Sequence, residues 1–213
     1  MIKKLSTVFA FALLFSVSAF AQQFVQGTHY DVIAEQATSK PEVKEYFSYF
    51  CGGCASIEPL AQQLGANLPK GAEFKKVHVD FVRGASPEVQ NTLARAYLVA
   101  KANGVANQYS TAVFNHIHRQ RNQIRNDSDV RSIALGVGIS ADDYDKQINS
   151  FSVRMGATVM RNEQNELSRA RVLTGVPTFV VNGKYKINNG NLDSRNFATE
   201  LEQLVEYLLQ KDS

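Results

Sequence analysis

Cys51 and Cys54 are the only cysteines in 213 residues, and just two glycines separate them. That spacing restricts what the surrounding chain can be. A disulfide closing so short a loop removes little entropy from an unfolded chain, so it makes a poor structural staple. Disulfide scaffolds use many cysteines at long spacings instead. The pair therefore points to thiol chemistry, and its setting decides which kind. Before it, Val43 to Phe50 reads Val-Lys-Glu-Tyr-Phe-Ser-Tyr-Phe, short and aromatic, which predicts a strand. After it, Ile57, Leu60, Ala61 and Leu64 recur at helical spacing, which predicts a helix over Ala55–Leu68. Cys51 thus falls at a strand-to-helix junction. Unpaired backbone N–H groups and the positive end of the helix dipole gather there and favour an anion. Cys51 is the expected thiolate, and Cys54, one turn further in, the shielded resolving thiol.

The rest of the chain shows what surrounds this junction. Phe74 to Phe81 alternates apolar and polar residues and predicts a second strand. From Ser86 the pattern changes. Ser86 reads as an N-cap with Pro87 at the first helical position, and Val89, Leu93, Ala96, Tyr97 and Ala100 share one face up to Gly104. Helical patterns continue through Gln108–His118, Ser128–Leu135, Ala141–Ser150 and Val153–Val172, with starts at Asp127-Ser128-Asp129 and Ser140-Ala141-Asp142-Asp143. Strands return at Thr178–Val181 and Lys184–Ile187, flanking Asn182-Gly183, the strongest short hairpin signal. A last helix is predicted over Ser194–Leu209, with Phe197, Leu201, Leu204, Val205 and Leu208 as its buried stripe, and a first strand around His29–Ala34. The expected fold class is α/β: a mixed sheet formed by residues 22–84 and 166–213, interrupted by an all-helical insertion over 85–165.

The chain opens with Lys3 and Lys4, then an apolar run from Val8 to Val17, then Ala19-Phe20-Ala21. This predicts a signal peptide cleaved after Ala21, since the run is shorter than the roughly 20 residues a membrane span needs. Export would place both cysteines in an oxidising compartment. Losing Lys3 and Lys4 would lower the formal charge from +3 to +1, which leaves no electrostatic ground for nucleic-acid binding. Zinc wants four ligands, usually a second Cys or His pair. His116 and His118 are the one close histidine pair, and at i, i+2 on a helix they face different ways. With Arg119, Arg121 and Arg125 they read as a solvated basic face. No metal and no cofactor is implied.

The segment Glu45-Tyr46-Phe47-Ser48-Tyr49-Phe50-Cys51-Gly52-Gly53-Cys54 resembles the active-site segment of the DsbA family, periplasmic dithiol oxidases with a thioredoxin fold and a helical insert. Lys76-Val77-His78-Val79 resembles that family's next strand, Gly175-Val176-Pro177-Thr178 its cis-proline loop, and Val181-Asn182-Gly183-Lys184-Tyr185 its hairpin. The resemblance runs in order across essentially all of the chain beyond residue 21. It implies that Cys51 is the nucleophile and Cys54 the resolving thiol. It implies a cis Val176–Pro177 bond lying against the disulfide, with the backbone of Val176 free to pair with an extended substrate peptide. It also implies a buried Glu45–Lys76 pair beneath the site, suited to relaying the proton of Cys54, with His78 on the same face as a structural histidine. The implied substrates are reduced exported proteins, the implied reoxidant is a quinone-linked membrane partner of the DsbB type, and the implied form is a periplasmic monomer. Gly52-Gly53 departs from the Pro-His of the best-known members, which bears on redox potential and not on reaction type. Two alternatives stay open: a disulfide reductase or isomerase of the same fold, and a non-catalytic peptide-binding or metal-carrying module. An isomerase of this fold usually carries an added N-terminal dimerisation domain, for which Gln22–Thr28 leaves no room.

Overall fold

Strand β2, Glu42–Phe47, holds the two halves of the sheet together. On one side it pairs in parallel with β3, Glu73–His78; on the other it pairs antiparallel with β4, Thr178–Val181. β5, Tyr185–Ile187, and β1, Tyr30–Val32, complete a five-stranded sheet in the order β1-β5-β4-β2-β3. The computed structural model describes residues 24–211, so the expected leader and its cleavage site lie outside the described residues. The sheet is mixed, as the sequence predicts, and its order is the thioredoxin-like one that the family resemblance implies.

Local chemistry sets the ends of these elements. β2 stops at Phe47, three residues short of expectation, because Ser48 begins a turn. Its Oγ accepts the Phe50 N–H at 3.2 Å and its carbonyl accepts the Cys51 N–H at 3.0 Å. β3 stops at His78, opposite the last residue of β2, rather than at Phe81. Between β4 and β5, Asn182 and Gly183 both take positive φ (52° and 62°), and the Lys184 N–H reaches the Val181 carbonyl at 3.0 Å. That is the primed turn whose twist matches a hairpin.

Helix α1, Gly52–Asn67, connects β2 to β3. The helices α2 (Pro87–Ala102), α3 (Ala106–Phe114), α4 (Asp127–Gly136) and α5 (Ala141–Ile148) follow without a strand among them. Ser86, Asn126 and Ser140 cap three of them with side-chain oxygens. α6, Phe151–Arg169, returns to the sheet, where its Glu163 takes hydrogen bonds from Lys44 and Tyr46 of β2. The expected boundary at residue 165 falls inside this helix, so one element serves both parts. α7, Phe197–Gln210, starts three residues later than expected because Asp193 draws the Arg195 N–H and the Asn196 side chain into a turn.

Alternation along β2 sends Val43, Glu45 and Phe47 to one face, with Lys76 and His78 beside them on β3. α1 and α7 cover that face. Val43, Leu64, Val181, Leu204 and Leu208 form one apolar cluster behind it. Phe47, Tyr49, Cys54, Leu93, Tyr109 and Phe114 belong to a second cluster, continuous with the helical insertion.

Candidate active site

Cys51 is the N-cap of α1, not a residue within it. Its backbone is extended, and its sulfur accepts the Cys54 N–H at 3.0 Å. The helix begins three residues earlier than apolar spacing suggests because glycines at 52 and 53 carry no periodicity signal. Both cysteines are free thiols, but their surroundings differ: Cys51 is half-buried and Cys54 wholly buried. The Cys54 thiol donating to the Cys51 sulfur draws the Cys51 pKa down to about 7, against the opposing effect of burial, and the backbone N–H groups of Cys54 and Gly53 add to it. For Cys54 the same contact acts in reverse, and with burial it pushes the thiol far up. One sulfur is thus poised as a thiolate near neutral pH and the other as a proton donor beside it.

A loop from the far side of the insertion closes over the pair. The Val176–Pro177 peptide bond is cis, and the Val176 carbonyl lies 3.4 Å from the Cys51 sulfur, within reach of its S–H. Beside the loop runs a polar cleft of about 440 Å³ lined by Gly175, Val176, Pro177, Lys186, Asn189 and Gly190. Gly53 faces the same loop: a Cβ there would sit 3.4 Å from Pro177 Cδ and 3.8 Å from the Cys51 sulfur.

Beneath the pair lies a buried charged cluster. Glu45 is fully buried, and Lys76 lies 3.1 Å from its Oε2. Lys76 also pairs with Glu58 of α1, buried like the others. Burial works to lower the pKa of Lys76, but Glu45 and Glu58 outweigh it and keep the ammonium charged. Burial raises the pKa of Glu45 more than Lys76 lowers it, with Glu58 pushing the same way. Buried beside a second carboxylate, Glu45 holds a proton more readily than a free carboxylate does. Its Oε1 has no hydrogen-bond partner among the described residues, so it is open to a proton or a water. His78, buried next to Phe47, is kept neutral by burial, with its pKa lowered to about 3.

The sequence reading missed two residues here. Glu58 lies four residues past Cys54 and three before Ala61, on the buried stripe of α1. An acid on an otherwise apolar stripe is the signal that could have exposed it. The second is His118, expected as an ordinary surface residue. It is half-buried, and its Nε2 lies 2.8 Å from the Tyr49 carbonyl. The reason is that residues Asn115–Arg119 form a π turn, so the facing expected of an α-helix does not hold. His116, Arg121 and Arg125 lie apart from the cysteines, around a separate surface cleft.

Residues 42–202 match the DSBA-like thioredoxin domain family. The thiol:disulfide interchange protein DsbA of Haemophilus influenzae is 34% identical over 93% of each chain, and that of Escherichia coli K12 is 32% identical over 93% of this chain and 95% of its own. Among solved structures, a Cys→Ser variant of Proteus mirabilis DsbA with the non-covalently bound peptide PWATCDS superposes with a TM-score of 0.76 at 28% identity, covering 87% of this chain and 98% of that one. Pseudomonas aeruginosa DsbA superposes at 0.72 and 26% identity, covering 90% and 96%. With an acidic thiol capping a helix, its partner buried behind it and a proline loop above, the chain belongs to the DSBA-like thioredoxin domain family and is a thiol:disulfide oxidoreductase.

Proposed function

We propose that the protein is a dithiol oxidase that introduces disulfides into reduced exported proteins. The asymmetry of the two thiols carries this reading. In the oxidised form a substrate thiolate attacks the Cys51 sulfur; the S–S bond breaks, and Cys54 departs and takes up a proton. The substrate's second thiolate then attacks its own sulfur in the mixed disulfide and releases Cys51 as a thiolate. Two electrons pass from substrate to enzyme, which ends with one proton on Cys54 and with Cys51 as a thiolate. Because Cys51 is a stable leaving group near neutral pH, the reduced enzyme is favoured and the transfer runs towards substrate oxidation.

The surrounding residues take distinct parts. Val176 offers backbone groups to an extended peptide, with Pro177 and the cleft beside it receiving the flanking residues. Glu45, Glu58 and Lys76 hold and pass the proton that Cys54 takes up. Gly52 and Gly53 leave the Cys51 sulfur free of side-chain donors from the intervening dipeptide. The protein acts as a monomer in the periplasm after cleavage following Ala21, and a membrane protein of the DsbB type, quinone-linked, reoxidises it.

Equilibration of the purified protein against a glutathione redox series tests the direction of transfer. A potential well above about −200 mV supports the oxidase, whereas one near the −270 mV of thioredoxin makes it a reductase. In cells, Cys54→Ser should accumulate mixed disulfides and Cys51→Ser none; the reverse pattern overturns the roles.

A further inference from the structure

We infer that His118 is a positioning residue for the Cys51 thiolate, the outer half of a two-histidine clamp on the backbone of Tyr49. This rests on the oxidoreductase reading of the same site. Tyr49 lies two residues before Cys51, in the turn that sets where the helix cap begins. Its N–H donates to Nε2 of His78 at 3.4 Å. Its carbonyl accepts from Nε2 of His118 at 2.8 Å. The two imidazoles act with opposite polarity. His78, with its pKa lowered to about 3, is neutral and offers an unprotonated Nε2. A carbonyl can only accept, so His118 must carry a proton on Nε2. The side chain is tied as well, through its hydroxyl and Ser110 Oγ at 3.1 Å.

The insertion is shaped for this contact. The π turn ending α3 is closed by the Gln120 N–H on the Asn115 carbonyl at 2.9 Å, five residues back. Such turns are rare and are frequently found at functional places. Here it lays the His118 ring near Phe114, which itself packs on the Tyr49 ring. Among the described residues no backbone N–H reaches the Tyr49 carbonyl, so without His118 that carbonyl loses its partner and the turn rests on Ser48, on Ser110 and on the Tyr49 N–H bond to His78. The Cys51 sulfur depends on that turn to stay 3.0 Å from the Cys54 N–H. With Gly53 supplying no side-chain donor, this backbone alignment matters all the more.

The test compares His118→Leu, which keeps contact with Phe114 and removes the donor, with His118→Gln, whose amide nitrogen reaches as far as Nε2. The readouts are Cys51 thiolate absorbance against pH in the reduced full-length protein and the melting temperature. The Leu variant should raise the Cys51 pKa by about half a unit to one unit, the size of one neutral hydrogen bond, and the Gln variant should restore it. If both variants melt lower and leave the pKa where it was, or if both shift it equally, the positioning role is overturned. The thiolate titration needs no substrate. A failed oxidase reading would instead show as a reductase-like glutathione equilibrium in the unsubstituted protein.

Discussion

Val43 and Glu45 lie two residues apart on one face of the same strand, and neither is exposed to solvent at all. Val43 meets Leu64, Val181 and Leu204 in an apolar cluster behind α7. Glu45 meets Lys76 and, across it, Glu58 under the active-site helix. A sheet face that needed only stability would continue the first pattern. Well-packed hydrophobic residues in place of a buried ion cluster are commonly neutral or stabilising. The end of the face below Cys54 thus carries a buried ion cluster, and the end below α7 carries apolar packing. Burial alone does not distinguish them; partners do.

Removing Lys76 should break this contrast hardest. Lys76→Met leaves two carboxylates facing each other out of reach of water, and unfolding in denaturant should show a loss of about 3–5 kcal/mol. The triple variant with Glu45→Gln and Glu58→Gln should recover most of it. If the single change costs little, water already reaches the cluster and the two ends are alike. At the cohesive end, Leu204→Ala should cost about 2–5 kcal/mol by opening a cavity, while the Cys51 titration stays where it was. A shifted thiol pKa in that variant would mean the apolar cluster also positions the site.

His78 sharpens the comparison through pH. Its pKa falls from 6.5 to about 3 on folding, so the unfolded chain binds a proton that the folded one refuses. Its contribution is fully present above pH 6.5 and is lost as pH falls towards 3, at about 1.4 kcal/mol per pH unit. His78→Gln keeps an acceptor for the Tyr49 N–H without titrating, and it should flatten that slope in denaturant midpoints measured between pH 4 and 6. An unchanged slope would assign the acid sensitivity to other groups. The smallest effect belongs to Gly53. A Cβ at position 53 meets only ordinary contacts, so Gly53→His should fit and set an imidazole beside the sulfur. The Cys51 pKa should drop by about half a unit to one unit, and the reduction potential should rise by about 15–30 mV. If the pKa holds or rises, the backbone donors alone set the thiolate.

Much of this is readable in the sequence, where local rules dominate. The Asn182-Gly183 turn, the Ser86-Pro87 helix start and the stripe of α7 follow from backbone preferences and periodicity, and the structure keeps them. The cysteine junction was readable for the same reason. What escaped was decided by tertiary context. Tyr49 and Phe50 have the composition of a strand, but β2 ends where Ser48 turns the chain. Glu58 has an exposed residue's chemistry at a buried residue's position, and Lys76 on one oxygen and the Gln62 amide on the other make that tolerable. His118 depends on a π turn, for which no spacing rule exists. Such departures from local rules gather at the site, as expected where function overrides folding preference.

The position of β2 between β3 and β4 also has a consequence in time. Its parallel partner follows after one helix, but β4 begins about 100 residues beyond the end of β3. At roughly 5–20 residues per second, a growing chain would complete the first strand–helix–strand unit, cysteines included, about 5–20 seconds before the Val176 loop exists to lie over them. During that interval the dithiol has its helix cap but not its cover. Where the nascent chain is while it waits then decides which thiols and disulfides meet Cys51 first.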